Sequence, residues 1–235
     1  MNYVSIGDMA RSFQLRRHNV ELQKHLSTLT QELTSGVKSD LAGAVSGDFK
    51  ALAGIEHSLQ LLAGYKTAAS EANLFAESLQ SVLGTVQDLA SDVAPSLVSA
   101  GTIGGAQPVA ITTMDARQKF HSAVSALNTQ LADRFLLSGA ATDQQPISSS
   151  QDILDALMVA TSGQLTAGGV IGSVTAWFDS PPGGGGFADL IYGGAGTPSA
   201  FEIGPNDSAT LDVTALDPNV INVLKGMALA SLVAE

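Results

Sequence analysis

Leu15, Leu22, Leu26, Leu29 and Leu33 stand 7, 4, 3 and 4 residues apart, which places all five on one seam of a long helix. After a break containing Gly and Ser, the apolar spacing resumes through Ile55, Leu59, Leu62, Phe75, Leu79, Val82, Val86, Leu89 and Val93. At 1.5 Å per residue, a helix over most of that second stretch is about 60 Å long. Helices of this length do not fold back into one compact enzyme core. Their seams need partner helices, so assembly is the first expectation.

The periodicity predicts a first helix over 5–35, closed by Gly36 as its C′ residue. Gln14, Arg17, Glu21, Lys24, Gln31 and Glu32 fall between the seam positions, as an amphipathic helix requires. Residues 36–47 read as a link. Asp48 is the expected N-cap of a second helix running to about Ala94, before Pro95. Gly54, Gly64 and Gly84 inside it each cost roughly 1 kcal/mol relative to Ala, and close helix–helix approach is their expected use. Residues 95–111, with Gly101, Gly104, Gly105 and Pro108, read as a loop. A third helix follows, capped by Thr112 or Thr113, with Asp115 in its first turn and a seam of Phe120, Val124, Leu127, Leu131 and Phe135. It is expected to stop at Ser138-Gly139.

After Pro146 the pattern changes. Ser149 and Asp152 form a capping-box-like start to a short helix over 151–161, and a second short helix is expected over 169–178. The SPPGGGG run at 180–186 predicts a flexible turn. Strand-like runs follow at 188–192, 200–203 and 209–213. A last helix opens at Asp217-Pro218 and carries Val220, Leu224, Met227 and Leu232 or Val233. It is still amphipathic and uncapped at Glu235, which predicts a missing continuation.

The expected fold is mostly α: an elongated long-helix bundle with an inserted small α+β domain. Three segments follow. Residues 1–40 form a heptad helix, 41–145 form the long-helix bundle together with 217–235, and 146–216 form a small outer domain. The expected bundle core is Ile55, Leu59, Leu62, Phe75, Leu79, Val86, Phe120, Val124, Leu127, Leu131 and Phe135.

Charged residues make up 14% of the chain, below the usual quarter or so, and aromatics 5%; Ala, Gly and Ser take their place. Small side chains suit apposed helices better than a deep pocket. The formal charge of −11 argues against nucleic acid, which would need a basic face. With no cysteine, the sequence has no disulfide, thiolate metal site or cysteine nucleophile, and it suits a chain exported unfolded. No apolar run reaches the roughly 18 residues of a membrane span, so no membrane insertion is expected. The opening MNYVSIGDMARSFQL lacks the pattern of a cleaved signal peptide.

Candidate chemistry is thin. His18 and His25 lie seven apart, His57 and His121 lie on other helices, and no HExxH occurs, so no metal is expected. The glycines at 183–186 are followed by no lysine and sit in no phosphate-binding pattern, so a turn is the simpler reading and no cofactor is expected. No GxSxG is present. Asp152 and Asp155 are a carboxylate pair beside a helix start, suited to solvation and dipole pairing. Trp177 and Phe178 read as core anchors. No catalytic residues are assigned, and a structural or interaction protein is expected.

Two stretches carry a family likeness. SIGDMARSFQLRRHNVELQKHLSTLTQELTSGVKSD (5–40) ends in Leu33, Thr34, Ser35, Gly36, Val37, Lys38, and LNTQLADRFLLSGAATDQQP (127–146) carries Arg134, Phe135, Leu136, Ser138, Gly139, Thr142 and Pro146. Together these resemble the flagellin superfamily, and within it the hook-associated junction proteins. TAWFDSPPGGGGFADLIYGG (175–194), followed by Asp217–Ala230, resembles the small variable domain of such chains returning to the bundle. Leu137 departs from the usual Phe of the second stretch, and the family's long C-terminal helix has no counterpart before Glu235.

The resemblance implies a non-catalytic subunit of the bacterial flagellum, exported by the flagellar type III apparatus and located outside the cell. Its implied partners are copies of itself in a ring or tube, neighbouring hook-associated and flagellin subunits, and an export chaperone. Leu15, Leu22, Leu26, Leu29 and Leu33 would be the assembly seam. A filament flagellin, or a coiled-coil component of another secretion apparatus or phage tail, stays open as an alternative.

Overall fold

A computed structural model describes residues 6–233. Helix accounts for 66% of it and every named strand is two residues long, so the chain is mostly α. The backbone divides into two compact units, one up to Leu62 and one from Ala63 onward.

The first unit begins with α1 (Ile6–Ser35). Gly36 ends it as its spacing predicts: φ is +68°, and its N–H donates to Glu32 O at 2.8 Å, a left-handed cap open to glycine at no steric cost. The link at 36–47 is less irregular than expected. It holds the short α2 (Leu41–Ala44), whose first turn is capped by Asp40 Oδ1 accepting from Gly43 N–H at 2.9 Å. Asp48 Oδ1 then accepts from Lys50 N–H at 3.0 Å and opens α3 (Lys50–Ser91), within which the unit boundary falls.

The second unit continues with α4 (Val93–Ile103) and α5 (Ala106–Leu127), so the loop expected at 95–111 shrinks to Gly104 and Gly105. Pro95 and Pro108 each sit in the first turn of their helix, where a backbone N–H has no intrahelical partner to lose. Thr112 and Thr113 do not cap. Their hydroxyls donate back to Pro108 O and Val109 O inside α5.

The third helix also ends early, at Leu127, and the last two seam positions leave it. Leu131 and Phe135 belong to a hairpin of β1 (Gln130–Leu131) and β2 (Arg134–Phe135). Ala132 and Asp133 turn it with φ of +48° and +60°, the backbone of a type I′ turn. Asn128 holds the chain at this exit. Its Nδ2 donates to Ile147 O at 2.8 Å, and its Oδ1 accepts from Ile147 N–H at 3.0 Å.

α6 (Ser150–Thr161) has the full capping box of Ser149 and Asp152, and α7 (Ala167–Phe178) is capped by Thr166. The run at 188–192 is no strand: α8 (Phe187–Leu190) occupies it, and Tyr192 forms a lone antiparallel bridge with Ile147. The other two runs reduce to a hairpin of β3 (Phe201–Glu202) and β4 (Ser208–Ala209). α9 (Pro218–Ser231) starts at the Asp217 cap as its sequence predicts.

One hydrophobic cluster serves this unit. It joins Leu79, Val82 and Val86 of α3, Phe120, Val124 and Leu127 of α5, and Leu224 and Met227 of α9 to Ile147, Ile153 and the rings of Trp177, Phe178 and Phe187. Residues from 146–216 therefore share the helices' core instead of burying a separate one. The three aromatics stack edge-on or offset, with centroids 5.0–6.1 Å apart, and Trp177 and Phe178 are core anchors as expected. Two polar ties fix α9. Arg117 Nη2 donates to Ser231 O at its C-terminal end, and Lys225 Nζ donates to Asp179 Oδ1 at 2.7 Å.

Asn128 supports a direct test. Ile147 is fully buried, and Gln145 Nε2 also donates to its carbonyl, but its N–H is bonded to Asn128. Asn128→Ala strands that buried donor and should cost about 1–3 kcal/mol in denaturant unfolding, whereas Gln145→Ala should cost less.

Candidate assembly surfaces

Three places in the chain concentrate chemistry: the seam of α1, a groove in the second unit and a small polar cleft beside His121.

The α1 seam exists and is uncovered. Leu15, Leu22, Leu26, Leu29 and Leu33 are 56–87% exposed, and Met9, Phe13 and Val20 are exposed on the same helix. Scattered single apolar residues are ordinary on a protein surface, whereas five exposed leucines on one seam of one helix are not. The expected bundle core divides in two. Leu79, Val86, Phe120, Val124 and Leu127 are buried together, and Leu131 and Phe135 are partly buried. Phe75 is partly buried too, with the Arg134 guanidinium 5.8 Å from its ring centre and the Phe201 ring 6.1 Å away. Ile55, Leu59 and Leu62 are not core: each is about 60% exposed. The sequence spacing that put them on one seam is sound, but no side chain among the described residues covers them. The helix glycines agree, since a Cβ added at Gly54, Gly64 or Gly84 would meet nothing within 4 Å. Their expected use in close packing is not met among the described residues.

A carboxylate locks the C-terminal end of α1. Glu32 accepts from Ser39 N–H at 2.9 Å, Ser39 Oγ at 2.8 Å and Lys38 Nζ at 3.0 Å. The Ser39 backbone donor is the largest of the causes that hold the Glu32 carboxyl down to about 2 from its ordinary 4.5. A carboxyl depressed on folding stabilises above its unfolded value and loses that contribution as pH falls through the folded one. The turn at 36–39 should therefore be fully tied above about pH 4.5 and released towards pH 2. Amide exchange at Ser39 followed across that range checks this, and Glu32→Gln should release it at neutral pH.

The glycine run at 180–186 is not free. Asp189 accepts from Gly183 N–H at 2.8 Å and Gly185 N–H at 2.7 Å, and these bonds, Gly183 first, hold its carboxyl below the usual range. Both of its oxygens are engaged with the loop's own amides, which makes the run a pinned turn. Gly139, singled out by the family likeness, has φ of +69°, and an added Cβ would lie 2.6 Å from Gly196 O. It therefore serves backbone packing.

The polar cleft of about 440 Å³ is lined by His121, Asn128, Gln145 and Ser150 among others. His121 Nδ1 lies 2.9 Å from Ser150 Oγ, and Ser150 is buried at the first position of α6. The contact ties α5 to α6. His18, His25 and His57 are exposed on α1 and α3, and among the described residues no group of three or more His, Asp and Glu is placed to hold a metal ion. Nor is any described helix long and apolar enough to cross a membrane.

The groove went unread in the sequence. It has a volume of about 680 Å³ between the end of α3, α4, α7 and α9, and its walls are almost wholly apolar, including Ala90, Val93, Leu97, Val170, Gly226 and Leu232. The signal lay in small residues at helical spacing, Gly226 and Ala230 on α9 and Ala90 and Ala94 near the α3–α4 junction, but their convergence needs the tertiary packing of separate helices. Comparison with protein-family models, curated proteins and solved structures found no match in any of the three. The class that can be stated is accordingly a mostly helical protein with uncovered apolar helix faces.

Proposed function

We propose that this chain is a structural subunit that assembles through helix packing, and specifically a hook–filament junction subunit of the bacterial flagellum, of the kind called hook-associated protein 3. The observation that carries the assembly reading is the uncovered seam of α1: five leucines on one helix face, all more than half exposed. Leaving them solvated forgoes about 1.5–3 kcal/mol for each leucine that could be buried, which is a large driving force for a partner helix. The flagellar reading rests on the likeness of 5–40 and 127–146 to the flagellin superfamily. Under it, the subunit is exported unfolded through the type III apparatus with a chaperone's help and packs with copies of itself and with neighbouring hook-associated and flagellin subunits outside the cell.

The test is electron microscopy of cells lacking the gene. Bare hooks, with filament subunits lost to the medium, are the expected result. Normal filaments would overturn the junction reading, and intact hook–junction ends without any filament subunit would instead indicate a flagellin.

A further inference from the structure

The leucine seam of α1 is interrupted by one asparagine, and we infer from it that α1 pairs with α1 of a second copy as a parallel, in-register two-helix coiled coil. This rests on the assembly reading above and adds which partner the seam takes and in which direction.

The heptad frame puts Ser12, Asn19, Leu26 and Leu33 at a and Leu15, Leu22 and Leu29 at d. Asn19 therefore lies in the seam itself, between Leu15 and Leu22, and it is exposed as they are. Asparagine is a weaker helix former than leucine, so local propensity does not account for it. A wholly apolar partner would bury its amide with donor and acceptor both unmatched. A copy of the same helix supplies the match. In parallel register Asn19 faces Asn19, each amide N–H can donate to the other's carbonyl, and each of the five leucines faces its own counterpart. An antiparallel pair that aligns the same seam, with Leu15 against Leu33 and Leu22 against Leu26, sets Asn19 against Leu29 and strands both amides.

The uncovered face of α3 is a poorer partner. Ile55, Leu59 and Leu62 offer three layers, which leaves at least two of the five α1 leucines uncovered and gives Asn19 no amide to pair with. Charge also favours α1 on α1. Residues 1–62 balance six acidic with six basic side chains, so the whole formal charge of −11 falls on residues 63–235. Two copies repel through their acidic units and meet at least electrostatic cost along a segment without net charge. The flanks of the parallel pair face as Arg11 on Arg16, His18 on Gln23 and His25 on Thr30, from g of one helix to e of the other. Glu32, the acid at g, is already engaged by Lys38 and Ser39. The Arg11–Arg16 contact is the one like-charged pair in this arrangement, and it makes the direction of pairing testable.

The chain has no cysteine, so an introduced one reports without background. Ser12→Cys puts a thiol at the a position one step before Leu15, where parallel helices bring the two copies' thiols together, and Gln14→Cys, at the outward c position, is the control. On oxidation of the full chain, most of the Ser12→Cys protein is expected at twice the chain mass while Gln14→Cys stays largely single. Adding Leu26→Glu to Ser12→Cys should abolish the link. Arg11→Glu turns two like-charged pairs into opposite ones and should tighten the dimer roughly tenfold in sedimentation equilibrium. A dimer left unchanged or weakened by Arg11→Glu would overturn the parallel register. So would Ser12→Cys linking no better than Gln14→Cys, or Leu15→Cys chains linking to Leu33→Cys chains in preference to their own kind. Oligomers that Leu26→Glu disperses, but that give no Ser12→Cys link, would sink the self-pairing and leave the assembly reading intact. A chain that stays single at every concentration would sink both; a Ser12→Cys link in a protein whose deletion leaves normal filaments would support the pairing and sink the flagellar reading alone.

Discussion

Phe120→Ala is expected to lower stability by about 3–5 kcal/mol and to unfold the second unit near ambient temperature. Phe120 is fully buried on α5, in the same cluster as Val124 and Leu127 of its own helix and Leu224 and Met227 of α9. Alanine removes the ring and leaves a cavity whose walls come from several separate helices, so no single element can shift to fill it. The partner control is Val159→Ala, on the exposed face of α6, which should change stability by less than about 0.5 kcal/mol. Urea titration followed by tryptophan fluorescence reads both, because Trp177 lies in the same core. Equal small effects would mean that the cluster does not hold the unit together.

What the sequence could disclose was local. Gly36, the Ser149–Asp152 box and the Asp217-Pro218 start each act within one helical turn, and each stands where its chemistry predicts. The misreadings arose where a local rule met a longer-range fact. Pro95 and Pro108 suggested a loop, yet both fit a first turn. Ala132-Asp133 carries no glycine to announce a type I′ turn, so the 4-residue apolar steps through Leu131 and Phe135 looked helical; the Asn128–Ile147 pair that ends α5 links residues 19 apart. Asp189 pins a glycine run that composition alone describes as flexible. The candidate surfaces divide in the same way. A seam on one helix is visible as spacing, and α1 displays it. Whether Ile55, Leu59 and Leu62 would be covered depended on partners that spacing cannot report, and a groove walled by α4, α7 and α9 has no linear signature at all.

Replacing Leu22 and Leu26 together by glutamate should abolish self-association while leaving the fold of the second unit unchanged. Both leucines are about 60% exposed in the single chain, so the substitution removes no intramolecular core contact. Glutamate is a good helix former, which keeps α1 helical and confines the effect to the seam. If two leucines are buried on assembly, their loss removes about 3–6 kcal/mol, and two buried carboxylates would oppose docking further. That corresponds to roughly a hundredfold or greater weakening, enough to turn oligomers into monomers at micromolar concentration. Sedimentation velocity of the two proteins reads the association, and their thermal melts read the fold. Unchanged oligomers would show that the seam is not what joins the subunits. A collapse of the melt would show that α1 is held within its own chain, and would remove the physical basis of the assembly reading.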